Sequence, residues 1–355
     1  MTVAGEAVRR RALERGPVAA DAVIEEALYG EAGFYASGGG AGRGRDFLTS
    51  PEVGPLFGAV VARALDGWWE ELEQVDTFVV VEGGAGAGAL ARAVLAADPS
   101  CAGALRWVCV ERSARLRAAA ETALVTEPTT QVIGGRGAGP VVAVTSDLPT
   151  GPFVGAVIAN ELLDNLPPVI MERTEGGWSE VRVDENLQEM LTPAPGLDAA
   201  ATRLAPAAPT GARVPLVRGA TRWVQEARSL LEVGPVVCFD YGTRTTAELA
   251  TRPMTEWLRT YRAHGRGGGW LNDLGEQDIT CDVPADQLGA DEVLPQGEWL
   301  RQHGIDELAD EARRRWDEGA HRGDLAAIKA RSRVNEAAAL TDPAGLGGFL
   351  VHIWR

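Results

Sequence analysis

Thr77-Phe78-Val79-Val80-Val81-Glu82-Gly83-Gly84-Ala85-Gly86-Ala87-Gly88 is the stretch that decides the fold. Thr77 to Val81 is a short aromatic and β-branched run, the composition of a strand buried on both faces of a parallel sheet. The glycines behind it let the backbone come close to a ligand. Ala89 to Ala97 then reads as a helix, and its N-terminus offers free N–H groups to whatever occupies the turn.

Outward from this unit the same alternation continues. Leu105 to Val110 is the next strand and Ser113 to Leu124 the next helix. Val141 to Ser146, Val154 to Ala159 and Pro235 to Tyr241 are further strand candidates. Alternating strands and helices specify an α/β fold with a mostly parallel, doubly wound sheet. Ahead of it, Ala19 to Tyr29 has helical spacing, with Ala22, Val23, Ala27 and Leu28 on one side. A Gly- and Arg-rich loop runs from Gly38 to Arg45. Ser50 is suited to cap a helix with Pro51 at its first position, and that helix would run through Val60-Val61-Ala62 towards Trp68-Trp69.

Val169 to Arg173 and Trp178 to Val183 flank Glu175-Gly176-Gly177, a hairpin signal. Residues 193–215, rich in Ala and Pro, read as a surface insertion. Thr221 to Glu232 reads as a helix, and Phe349 to Trp354 forms an apolar tail. The expected organisation is a helical N-terminal region over 1–72 and a core over 73–355, with an insertion around 169–235.

Composition narrows the function. The chain has 355 residues, 45% hydrophobic and 24% charged, which suits a soluble globular enzyme with a large core. Its net charge of -16 repels nucleic-acid phosphate and suits a cationic partner such as an arginine-bearing protein. Solubility alone accounts for much of that charge. The four cysteines form no Cys-x-x-Cys pair and the four histidines are scattered, so neither a metal site nor a disulfide framework is expected. No apolar run has the length of a membrane span, and Met1 to Gly16 lacks the apolar stretch of a signal peptide, so a cytoplasmic enzyme is expected.

A glycine-rich turn after a strand serves dinucleotides as well as other nucleosides. Glu82 separates them. A dinucleotide seats its pyrophosphate at this turn, where an adjacent carboxylate repels it. S-adenosylmethionine has no phosphate and carries an ammonium and a sulfonium, which a carboxylate favours. The candidate cofactor residues at the turn are Glu82, Gly83, Gly84, Ala85, Gly86 and Gly88. Glu111, in Val108-Cys109-Val110-Glu111-Arg112, ends the next strand and is placed to accept hydrogen bonds from both ribose hydroxyls. Asp147, past the strand ending at Ser146, is a further candidate contact. The bland alternative makes Glu82 and Glu111 solvated strand-end carboxylates.

The acceptor side is read from Ala156-Val157-Ile158-Ala159-Asn160-Glu161-Leu162-Leu163-Asp164-Asn165-Leu166-Pro167-Pro168. Ligands of doubly wound sheets sit beyond the carboxyl ends of the strands. That makes Asn160, Glu161 and Asp164 the catalytic candidates, with Asn160 also a cofactor candidate. Carboxylates pair bidentately with guanidinium and hold it for in-line attack. As an alternative, Asn160 and Asp164 cap the next helix. Thr49, Ser50, Pro51 and Glu52 form another candidate segment, which on its own reads as a capping-box variant.

These segments resemble the MidA-like methyltransferases, a family that includes the mitochondrial assembly factor of respiratory complex I. The matching stretches are Gly30-Glu31-Ala32-Gly33-Phe34-Tyr35, Asp46 to Glu52 with Phe57-Gly58, and Val81 to Gly88. Ala159-Asn160-Glu161 with Asp164 and Pro167, Asp240-Tyr241-Gly242, Leu258 to Tyr261 with His264, and Gln277-Asp278-Ile279-Thr280 complete them. The resemblance implies a class I methyltransferase fold with helical additions, S-adenosyl-L-methionine as cofactor, and protein arginine methylation on a respiratory-complex subunit. It also implies that residues Thr49, Ser50 and Pro51 fold over the cofactor and that Glu161 grips the target guanidinium. Three other readings stand beside it. One is methylation of a small natural product or modified peptide, which the Leu162-Leu163 pair and Gly265 to Trp270 would suit. The others are a non-catalytic assembly factor and an NAD-dependent oxidoreductase; Glu82 argues against the last.

Overall fold

Strand β1 (Phe78–Gly83) is buried along its whole length. It lies between two parallel neighbours, β2 (Leu105–Val110) and β4 (Phe153–Asn160), with Val80 opposite Trp107 on one side and Ala156 on the other. The structure, a computed structural model, describes residues 1–37, 49–134, 138–262, 265–319 and 325–355. The expected loop Gly38 to Arg45, the Asp46-Phe47-Leu48 stretch and His264 lie outside the described residues.

With β3 (Val141–Thr145), β5 (Val236–Asp240), β6 (Glu292–Pro295) and β7 (Leu350–Trp354), these strands form the central sheet in the order β3-β2-β1-β4-β5-β7-β6. The first five positions match the dinucleotide-binding order 3-2-1-4-5-6. The far end departs from it, because β7 inserts between β5 and β6 and runs antiparallel to β6. A short segment, Leu231–Val233, adds to the edge of β4 at Phe153 and Val154. The order reverses between β1 and β4, the switch point beside which such sheets bind their ligands.

Two expectations shift at β1 and at the helix after Thr49. The strand was expected to end at Val81, but pairing continues through Glu82 opposite Cys109 and Gly83 opposite Val110. Glu82 is therefore a strand residue, flanked by backbone on both sides. The helix expected to start at Ser50 and reach Trp69 is two helices, Ser50–Val53 and Pro55–Glu71, broken at Gly54. Glu336 crowds that break: a Cβ on Gly54 would stand 2.1 Å from its Cδ. The same carboxylate accepts the Leu56 N–H at 3.1 Å, capping the second helix from far along the chain. Thr49 is the residue before the first helix, not Ser50, whose hydroxyl donates to Gln296 Oε1 at 3.2 Å.

The chain forms two compact units. One comprises Leu48–Asn160, Glu226–Phe239 and Asp291–Arg355, and holds the central sheet. Its core includes Phe57, Val80, Trp107, Ile158, Phe239 and Trp299, with Phe239 and Trp299 edge to face at 4.8 Å. The other comprises the described part of Met1–Phe47, with Glu161–Gln225 and Asp240–Ala290. There the hairpin Val169–Thr174 and Gly177–Val183 forms as expected. Residues 193–215 are more than a surface insertion: Arg213–Leu216 pairs with Val169–Glu172, and helix Pro195–Leu204 buries Ala201 against the same sheet. Alanine and proline richness hid a strand whose Val214 and Leu216 are buried. The helix anticipated over 221–232 begins and ends earlier, at Arg218–Ser229. Among the described residues no helix is long and apolar enough to cross a membrane.

Candidate active site

The glycine turn is built from backbone conformations that only glycine adopts without strain. Gly84, Gly86 and Gly88 have φ of 65°, 55° and 74°. The turn is closed by Ala85 N–H to Val110 O at 3.1 Å and Gly88 N–H to Ala85 O at 2.9 Å. Gly88 precedes helix Ala89–Ala96, and no side chain caps that helix. A Cβ on Gly88 would approach Leu124 Cδ1 at 2.8 Å, whereas one on Gly86 would meet nothing within 4 Å. The inner side of the turn is packed and the side at Gly86 is open, which fits a nucleoside lying along it.

Two carboxylates brace this turn. Glu111, just past β2, accepts the Gly86 N–H at 2.9 Å on one oxygen and the Ser113 N–H at 2.7 Å on the other. Burial raises its pKa, against the backbone hydrogen bonds of Ser113 and Gly86 and the charge of Arg117. Glu82 lies beneath the turn, 4% exposed. Its carboxyl accepts from Trp107 Nε1 at 2.9 Å and from Cys109 Sγ at 3.8 Å. Burial pushes its pKa up to about 8, against the hydrogen bonds from Trp107 and Cys109.

The remaining cofactor candidates of this unit lie at different depths. Gly83 is the last residue of β1. Ser50 is fully buried, Thr49 and Pro51 half-buried, and Asp147 exposed beyond β3. Asn160 closes β4, opposite Phe239 of β5.

The chain leaves the sheet unit directly after Asn160, and Glu161 begins the turn of the other unit. Glu161 has φ 52°, a left-handed conformation unusual outside glycine and often found at functional positions. The one-turn helix Leu163–Asn165 follows. Asp240 organises it: one carboxyl oxygen accepts the N–H groups of Leu163 and Asp164 at 2.8 and 3.2 Å, and the other accepts Tyr241 N–H at 3.0 Å. Burial, then the charges of Asp164 and Glu161, raise the Asp240 pKa well above the carboxylate range.

Asp164 is itself buried and accepts the Tyr241 hydroxyl at 2.5 Å. Burial raises its pKa to about 6, against that hydrogen bond and the charge of Arg259. Arg259 stacks over the Tyr241 ring at 4.5 Å and pairs with Asp282 at 2.5 Å. Asn165 completes the turn. Its amide donates to Asp278 Oδ1 at 3.3 Å, and its side-chain oxygen accepts from the Tyr35 hydroxyl at 3.0 Å. Tyr29 donates to its backbone carbonyl at 3.1 Å. Asp278 is fully buried, and burial lifts its pKa to about 8.

Glu161 and Asp164 both act on Asp240, and Asp164 on Asp278, so these four form one carboxylate cluster, which Asp282 adjoins through Arg259. Asp164 is buried and hydrogen-bonded rather than a simple exposed helix cap. Tyr35, Arg259, Asp278 and Asp282 are not among the residues that the sequence marks as site candidates; Tyr35, Arg259 and Asp278 lie within segments that match the family, and that is their signal in the sequence.

A family model described as an S-adenosyl-L-methionine-dependent methyltransferase matches residues 60–290. The NDUFAF7 homolog of Drosophila melanogaster, a mitochondrial protein arginine methyltransferase, is 37% identical over 89 residues, 25% of this chain and 20% of that protein. The match therefore spans a fifth of the fly protein. NDUFAF7 of Danio rerio, also a mitochondrial protein arginine methyltransferase, is 27% identical over 325 residues, covering 82% of this chain and 74% of that protein. A crystal structure from Burkholderia thailandensis bound to S-adenosyl-homocysteine superposes with a TM-score of 0.77 at 25% identity, over 99% of this chain and 92% of that one. A native crystal structure from the same organism gives a TM-score of 0.75 at 25% identity.

Proposed function

We propose, from the premise that this chain belongs to the S-adenosyl-L-methionine-dependent methyltransferase family, that its methyl acceptor is an arginine side chain of a protein. When bound, the cofactor would supply an electrophilic methyl group carried on a positively charged sulfur. Glu111 and the open face at Gly86 are the residues suited to hold its nucleoside. The observation that carries the acceptor assignment is the carboxylate cluster at Glu161, Asp164 and Asp240, set on a left-handed residue.

A guanidinium is planar, protonated and weakly nucleophilic, because its lone pairs are delocalised. Methylation needs it held with one nitrogen aimed at the methyl carbon and one proton removed. A carboxylate at Glu161 would accept two parallel N–H bonds and draw the positive charge away from the attacking nitrogen. Asp164, with its pKa raised to about 6, holds a proton more firmly than an ordinary aspartate and suits the role of proton acceptor. Asp240 would keep the Leu163 and Asp164 amides in place beneath both. The zebrafish relative bears the name of a protein arginine methyltransferase, which supports the same reading.

The test is transfer of labelled methyl from S-adenosyl-L-methionine into a lysate of cells lacking this protein, followed by size separation and acid hydrolysis. The expected result is label recovered as methylarginine from a protein band. Label in short peptides or small molecules would reject the arginine assignment while leaving the methyltransferase intact.

A further inference from the structure

Away from the carboxylate cluster, helix Pro195–Leu204 and strand Arg213–Leu216 border a cleft of about 400 Å³. That volume falls within the range of small-molecule sites, roughly 300–1,000 Å³. The helix presents Leu197, Ala200 and Leu204 to it at helical spacing, and Leu216 adds a buried apolar wall. Arg203 and Arg218 line the same cleft, and both are exposed.

The charges on these walls are unevenly committed. Asp286, the acidic residue of the lining, spends its carboxylate on helix Thr246–Ala250: Thr246 N–H donates to it at 3.0 Å and Thr246 Oγ1 at 2.8 Å. Gln287 is likewise fully used. Its amide donates to Pro215 O at 2.8 Å and Thr246 Oγ1 at 2.9 Å, and its oxygen accepts Val217 N–H at 2.9 Å. These bonds tie three segments together, so the cleft walls are pre-formed. The two arginines differ. Arg213, Arg252 and Arg259 of the same unit each pair with a carboxylate. Among the described residues, none comes within ion-pair range of Arg203 or Arg218. Arg218 feels the charge of Asp21 without forming a pair. In a chain with a net charge of -16, two guanidinium groups left open beside a cleft with one apolar wall are a place for a negative ligand.

We propose that this cleft binds a small organic anion, a carboxylate carried on a short apolar stem, with the stem against Leu197, Ala200, Leu204 and Leu216 and the carboxylate held by Arg203 and Arg218. The site shares no residue with the carboxylate cluster, so the inference stands independently of the acceptor assignment.

Calorimetric titration of the full chain with octanoate, octanamide and octylammonium tests it. The expected order is saturable octanoate binding, at least about tenfold weaker for octanamide and absent for octylammonium. The paired change Arg203→Ala with Arg218→Ala should weaken octanoate by about tenfold or more, while affinity for S-adenosyl-L-methionine stays unchanged and reports an intact fold. Arg203→Lys with Arg218→Lys should retain part of the binding. Equal binding of octanoate and octanamide, an arginine-free variant that binds octanoate as the native chain does, or no saturable octanoate binding up to about 10 mM would each overturn the proposal.

Discussion

The glycine turn and the turn after Asn160 both follow the carboxyl end of a parallel strand, yet they are held in different ways. The glycine turn is fastened by near neighbours: Glu82 to Trp107 and Gly86 to Glu111 are each 25 residues apart. The turn at Glu161 is fastened from afar, by Asp240 at 77 residues from Leu163, Asp278 at 113 from Asn165, and Tyr35 at 130. The first is a local device that the β1–helix–β2 unit builds by itself. The second depends on three separate chain segments arriving together. If the turn at Glu161 receives the acceptor as proposed, cofactor binding should therefore survive many changes that disable that turn.

The sharpest way to break that contrast is Asp240→Ala. It strands three N–H groups, of Leu163, Asp164 and Tyr241, each worth about 1–3 kcal/mol when buried without a partner. We expect several kcal/mol of lost stability in urea unfolding and strongly reduced methyl transfer. Asp240→Asn, which keeps an accepting oxygen, should lose much less. If both behave like the native chain, Asp240 does not organise the turn.

Glu111→Ala probes the other side. It removes a charged acceptor from Gly86 and Ser113, worth about 1.5–3 kcal/mol, so affinity for S-adenosyl-L-methionine should fall about 10- to 100-fold by calorimetry. Unchanged affinity would remove Glu111 from the cofactor site.

Tyr35→Phe is a smaller probe of the distant bracing. Deleting the hydroxyl that donates to Asn165 should reduce stability by about 1 kcal/mol and slow turnover, with cofactor affinity preserved. A drop in cofactor affinity equal to the drop in turnover would argue against separate roles for the two turns.

The smallest effect is a slope with pH. Glu82 and Asp278 both have folded pKa values of about 8, above their ordinary values of 4.5 and 3.8. The folded chain keeps these protons where the unfolded chain has released them. Stability from this source is full below about pH 4 and declines as pH rises towards 8. Glu82→Gln removes one such group while keeping an acceptor for Trp107. Its urea midpoint should fall less than that of the native chain between about pH 5 and 8. Parallel slopes would mean that Glu82 does not hold its proton in the fold.

The same contrast explains what the sequence discloses. Strand β1, the glycine turn and the acid ending β2 are legible because period, glycine spacing and strand-end acids are local signals. The depth of Glu82 was not legible: nothing in Val81-Glu82-Gly83 says that pairing with Cys109 and Val110 carries the strand past the acid. The break at Gly54 was hidden for a similar reason, since Glu336 supplies the cap from the other end of the chain. At the proposed acceptor turn, Glu161 and Asp164 could be named from their position after a strand. Asp240 could be named too, with Tyr241, as residues ending a strand near the same edge, but Tyr35 and Asp278 could not, because they reach the turn only through tertiary pairing, such as Tyr261 opposite Asp278. Family resemblance marked those segments without saying what they touch.

The proposed division of labour rests most directly on Glu161→Gln, measured for cofactor affinity by calorimetry and for labelled methyl transfer in parallel. The substitution keeps size and removes the negative charge. We expect affinity for S-adenosyl-L-methionine within about twofold of the native chain and transfer reduced at least a hundredfold, about 2.7 kcal/mol in the barrier. Transfer that survives within about tenfold, or affinity that falls in step with transfer, would contradict it.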